Sequence, residues 1–137
     1  MERTFRLQII TPERSFFDDQ VEMAVFIAPD GEIGVMPGHM PMVASMREGP
    51  IRIQQGGAWR VAAASDGFAT ITQDQVWLMM QTVEWPEEID RVRAERDRAL
   101  AEEKLRQQKS MHEYYIARSM LARAMVRLRV SNRNGQS

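Results

Sequence analysis

Trp85-Pro86 divides the chain into two stretches whose apolar residues repeat with incompatible periods. Before it, FRLQII, QVEMAVFIA, EIGVM, PMVASM, PIRIQQ, WRVAAA, FATIT and VWLMMQTV are each of strand length. The breaks between them hold Pro-Glu, Pro-Asp-Gly, Pro-Gly, Glu-Gly-Pro, Gly-Gly and Ser-Asp-Gly. Turns at that density permit hairpins but not the long crossovers that parallel neighbours need, so residues 1–85 predict an antiparallel sandwich or barrel. Alternation assigns the inward positions: Phe5, Leu7 and Ile9 share one face of the first run, and Val21, Met23 and Val25 share one face of the second.

After Pro86, neither glycine nor proline occurs again until Gly135, which predicts a long helical segment. Pro86 suits a first helical turn, where Glu87, Glu88 and Asp90 would meet the positive end of the helix dipole. A break is expected near Gln107–His112, with Ser110 capping a second helix and Glu113 completing a capping box. In that second helix Tyr114, Ala117, Leu121, Ala124 and Leu128 recur at spacings of three and four and make one apolar stripe. The first helix is less decided. Ile89, Val92, Ala99 and Leu100 lie on one side, while Ala94, Ala101 and Leu105 make a thin stripe on another. Small residues allow close approach, so residues 86–137 predict an antiparallel helical hairpin with a thin seam, ending in a polar, frayed tail, SNRNGQS.

The chain has no cysteine, which excludes disulfides, thiolate metal sites and cysteine nucleophiles, and its two histidines, His39 and His112, lie far apart. His39 sits in PDGEIGVMPGHMP, where Asp30-Gly31 is a hairpin signal and Pro37-Gly38 a second turn, so it reads as scaffold or interface rather than as a catalytic base. Asp18-Asp19 reads as a turn. Gly31, Gly34 and Gly38 lie between strands and lack the strand–loop–helix setting of a phosphate loop. Residues 1–85 carry 11 acidic and 6 basic groups, residues 86–110 seven of each, and residues 111–137 one and five. A basic tail on an acidic body predicts docking on an acidic surface, a phosphate ligand or the body itself. Nucleic acid is the poorer reading, since the overall balance is −1 and the basic stretch is short. No apolar run is long enough to span a bilayer and no secretory signal pattern opens the chain, so a location in the cytoplasm, or on its side of a membrane, is expected.

The run ITPERSFFDDQVEMAVFIAPDGEIGVMPGHMPMVASMREGPIRI, then SDGFATI, TVEWPEEIDRVRA and ARAMVRLRV, resembles the epsilon-subunit family of the bacterial F-type ATP synthases along almost the whole chain. The resemblance implies an α+β fold: an N-terminal antiparallel β-sandwich (1–85) and a C-terminal two-helix hairpin (86–137). It implies a non-catalytic rotor subunit at the cytoplasmic face of the plasma membrane. The sandwich would bind the gamma subunit and the c-subunit ring; the helices, when extended, would reach the alpha–beta hexamer and block ATP hydrolysis. Met36, where the family usually has leucine, His39, Met40 and Met42 would lie near the partner contact. The alternative from another class is a free-standing cytoplasmic nucleotide-sensing module. An enzyme has no support, because no nucleophile–base pair, metal cluster or cofactor motif is legible.

Ile89-Asp90-Arg91-Val92-Arg93-Ala94 is similar to the I/L-D-x-x-R-A pattern with which some family members bind ATP as a regulatory ligand, and Glu84 stands where the family has an acidic residue. Ile89, Asp90, Arg93 and Ala94 are therefore candidate ATP-binding residues. A surface ion pair between Asp90 and Arg93 is the plainer account of the same residues. Arg123 and Arg127, spaced i, i+4 beside the apolar stripe, would come level with the start of the first helix if the hairpin is antiparallel. They would either meet a polyphosphate there, or stay solvated, or await acidic residues on the hexamer.

Overall fold

A computed structural model describes residues 3–107 and 110–136, with side chains as far as Asn132. Ten strands come first: β1 (Phe5–Ile10), β2 (Ser15–Val21), β3 (Met23–Ala28), β4 (Gly31–Val35), β5 (Met42–Met46), β6 (Gly49–Gln55), β7 (Ala58–Ala64), β8 (Gly67–Ile71), β9 (Gln75–Met80) and β10 (Val83–Glu84). They form two five-stranded sheets, in the orders β2-β1-β9-β8-β5 and β10-β7-β6-β3-β4. Phe5, Leu7 and Ile9 face inward as expected and pack with Val21, Phe26, Val35, Ile51, Ile53, Ile71 and Leu78 in one core between the sheets. Every ladder is antiparallel except one: β1 runs parallel to β9, Leu7 opposite Val76 and Ile9 opposite Leu78. Hairpin spacing says nothing about this pair, because its members are neighbours in the sheet but lie far apart in the sequence.

Two expectations fail for one reason: the chain changes sheets without a glycine or proline to mark the change. QVEMAVFIA is not one strand. β2 ends at Val21 and β3 starts at Met23 in the other sheet, so Val21 joins the core while Met23 and Val25 turn to the outer side. Ala24 and Phe26 take the inward positions of β3. Glu22 fixes the crossing: its amide donates to Gln54 O at 2.8 Å, and its carboxylate accepts from the amides of Gly56 and Gly57 at 2.6 and 2.8 Å. VWLMMQTV divides likewise, β9 in one sheet and β10 in the other. Asp18 and Asp19 are not a turn but mid-strand on β2, an edge strand, where the Asp18 carboxylate takes both Nε and Nη2 of Arg6 at 2.9 Å. The turns at glycine are as expected. At Met36–His39 the His39 amide donates to Met36 O at 3.2 Å across Pro37 and Gly38, whose φ of 81° needs glycine. Gly67 is required by contact instead, since a Cβ there would lie 2.0 Å from Met79 O.

Pro86 opens a 3-10 turn, Pro86–Glu88, and not the helix. The chain is extended at Ile89, and α1 (Arg91–Gln107) starts after Asp90, which accepts the Arg93 amide at its Oδ1 at 3.0 Å. Of the three acidic residues expected at the helix dipole, Asp90 alone caps α1. α2 (Met111–Gln136) is capped by Ser110, whose Oγ accepts the Glu113 amide at 3.1 Å. α2 runs through Ser131–Gln136, where a frayed tail was expected; Ser137 and residues 108–109 of the interhelical break lie outside the described residues. Between the helices the alanine stripe wins. Ala94 and Ala101 of α1 and Ala117 and Ala124 of α2 are fully buried, whereas Val92 is 71% exposed. α2 has a second apolar side that the single stripe did not include: Val126 and Val130 are buried against Ala63 of β7, with Val61 and Ile89 beside them. α2 therefore seats the hairpin on the outer face of one sheet.

Candidate functional site

The start of α1 and the end of α2 do come level, and between them and the sandwich lies a cleft of about 450 Å3. Five of the expected ligand residues line it: Glu84, Asp90, Arg93, Ala94 and Arg127, joined by Glu13, Thr82, Glu88 and Asp97. Arg127 reaches it from α2 and donates from Nε to Glu84 Oε1 at 2.5 Å, with both side chains about three-quarters covered. Asp90 is committed to capping α1 through the Arg93 amide, so its bond to that residue runs through the backbone. Two expected members lie elsewhere. Ile89 packs with Val61, Ala63, Val126 and Val130 under α2. Arg123 sits over a small gap lined by Ala63, Ser65 and Thr82, its Nε 3.4 Å from Ser119 O.

The sequence motif hides the charge of the cleft. Its lining holds five carboxylates against two guanidiniums. Glu88 is satisfied by Arg14, whose Nη2 lies 2.9 and 3.1 Å from its two oxygens, and Glu84 by Arg127. Glu13 and Asp97 add charge that no local sequence motif announces, because they arrive from the β1–β2 loop and from a later turn of α1. Among the described residues these carboxylates do not gather into a metal-binding group.

A second candidate surface lies on the other sheet. Met36 (59% exposed), Met40 and Met42 stand out from the β4–β5 connection and the start of β5, and His39 beside them bonds through Nδ1 to Met40 O at 2.8 Å. Across the same sheet Val43, Phe68 and Met79 are also exposed, with Phe68 directly opposite both Ser45 and Met79 in the ladders. Sequence reasoning took the methionines and missed Val43, Phe68 and Met79. Their signal was the opposite phase of the strand alternation: an apolar residue on the outward side of strands whose inward side is already apolar. Gly67, Phe68 and Met79 also edge a hollow of about 410 Å3 with Ile10 and Pro12. Exposed apolar side chains grouped in this way on a sandwich are what a lasting partner covers.

Residues 4–86 match the β-sandwich domain model of the ATP synthase delta/epsilon chain, and residues 87–132 match the long α-helix domain model of the same chain. The protein belongs to the ATP synthase delta/epsilon chain family. It is 46% identical over 133 residues to the ATP synthase epsilon chain of Caldicellulosiruptor saccharolyticus, covering 96% of this chain and 97% of that one. Against the epsilon chain of Ruminiclostridium cellulolyticum it is 43% identical over 130 residues, covering 95% and 97%. Its fold is similar to a chain in the Euglena gracilis mitochondrial ATP synthase, with a TM-score of 0.81 at 19% identity, covering 96% of this chain and 82% of that one. A chain of the Tetrahymena thermophila mitochondrial central stalk and c-ring gives 0.64 at 11% identity, covering 95% and 97%. Family membership accounts for the order of the two parts, sheet first and helices last. No helix among the described residues is long and apolar enough to cross a membrane.

Proposed function

We propose that this protein is the non-catalytic central-stalk subunit of a proton- or sodium-driven rotary ATP synthase, peripheral to the cytoplasmic face of the membrane. Both family domains match in order over nearly the whole chain, and this observation carries the reading. The sandwich would couple the c-subunit ring to the gamma shaft through the exposed face of β5, β8 and β9. A free-standing sensor would have no use for so much uncovered apolar surface. The helices would restrain ATP hydrolysis when they leave the sandwich for the alpha–beta hexamer. Reconstitution tests both parts. The full chain should bind gamma at micromolar concentration, Phe68→Glu should weaken that binding about tenfold or more, and a chain ending at Asp90 should couple normally but leave hydrolysis unrestrained. Loss of coupling without loss of the brake would contradict this division of labour.

ATP is the proposed regulatory ligand of the cleft, supported by Arg93, Ala94 and Arg127 lining it together. The excess of carboxylates opposes a polyphosphate, so weak binding is expected, aided by a divalent cation that neutralises part of the charge. Calorimetry on the full chain decides: Arg127→Ala should abolish the heat, Arg123→Ala should reduce it less, and no heat at millimolar ATP would remove the ligand from the account.

A further inference from the structure

The Trp85–Glu88 segment lies against α2, and it is also held on the sandwich by contacts that involve neither helix. The Trp85 ring stacks on Phe16 of β2 with centroids 4.5 Å apart and meets Phe17 edge-on at 6.3 Å. The Arg60 guanidinium of β7 covers the same ring at 3.8 Å. Glu88 accepts the Trp85 amide at 2.9 Å and binds Arg14 on the sandwich with the same carboxylate. Beyond it each side of the chain is closed separately: the Ile89 amide donates back to Pro86 O at 3.2 Å, while the Arg93 and Ala94 amides donate to Asp90 at 3.0 Å. None of these bonds crosses the Ile89–Asp90 peptide link. Turning the backbone there breaks no hydrogen bond of the 3-10 turn or of α1, whereas a pivot at Trp85 would unstack an aromatic pair and strip its covering cation.

We propose that Ile89–Asp90 is the pivot about which the helices leave the sandwich, and that Trp85–Glu88 stays clamped to it throughout. This rests on the reading of the helices as a brake that undocks, and it divides the contacts into two sets. Arg14–Glu88 and Arg60–Trp85 persist in both states; Arg127–Glu84, Ser119–Glu48 and the seat of Val126 and Val130 on β7 are lost on undocking. Ile89 itself remains on Val61 and Ala63 and keeps part of that apolar face covered after α2 has gone.

The chain has no cysteine of its own, so thiol bridges can be placed freely. Two variants, Arg14→Cys with Glu88→Cys and Glu84→Cys with Arg127→Cys, would each be bridged by a bis-maleimide and assembled into the complete motor. With the first bridge, ATP hydrolysis should stay within about twofold of the same variant unbridged, and with the second it should rise about fivefold or more, towards that of a motor whose chain ends at Asp90. Release by the first bridge would place the pivot before Glu88 and overturn the proposal. If hydrolysis ignores the second bridge and the truncation alike, the brake reading itself fails, and the pivot has no swing to serve.

Discussion

Asp18 is a carboxylate on an edge strand whose titration is set by one neighbour. The hydrogen bonds from Arg6, more than its charge, hold the Asp18 carboxyl below its ordinary value of 3.8, and the Arg6 guanidinium is raised in return. With the native value depressed, the unfolded chain binds the proton first as pH falls. The pair's contribution is therefore present above the unfolded pKa and lost as pH falls through the lower native one. Asp18→Asn should reduce the thermal midpoint slightly at pH 7 and leave it unchanged near pH 2, as followed by circular dichroism. A difference that persists in acid would mean that Asp18 acts through strand propensity instead. The pairing was not legible in the sequence, because DD reads locally as a turn and only the β1–β2 ladder, with Gln8 opposite Asp18 and Arg6 opposite Gln20, brings Arg6 diagonally across from it. Among the expected ligand residues, Arg123 missed the cleft for a related reason. A helical wheel gives direction about an axis, and what lies in that direction depends on where α2 sits on β7.

The helical hairpin is the element whose energetics follow most directly from residue size. Its seam is lined by Ala94, Ala101, Ala117 and Ala124, all buried, so close packing stands in for large apolar side chains. Ala101→Leu has no room there, and overpacking should cost about 1–3 kcal/mol. That cost falls on the hairpin and spares the sandwich core, so the variant should keep its sandwich yet lose protease resistance between Arg91 and Arg129. Equal loss of both would mean that the two parts unfold as one. Sequence periodicity alone gave the two helices, the Ser110 cap and the stripe through Ala117 and Ala124, since each is a local pattern. It left the facing side of α1 open, because an alanine stripe and a broken apolar stripe carry similar signals until a partner helix chooses. It also passed over Val126 and Val130, whose burial is decided by a sheet some sixty residues earlier in the chain.

At the scale of the whole molecule, the two parts are joined through one apolar cluster of a few side chains and a small number of polar bonds, whereas the sandwich core is continuous across both sheets. Local opening should follow that difference. Amides of α1 and α2 should exchange hydrogen faster than those of β1, β8 and β9 in the isolated chain, measured by mass spectrometry, and equal protection would refute a separately detachable hairpin. The parallel pairing of β1 with β9 also has a consequence for synthesis. β9 is the central strand of its sheet and the last of its five to be made. Until the ribosome has delivered Met80, the β1–β2 hairpin and the β5–β8 pair have no strand to join them, and both present open edges. The sandwich is therefore completed by its final long strand as a wedge, and the helices leave the exit tunnel only once the surface that receives them has been finished.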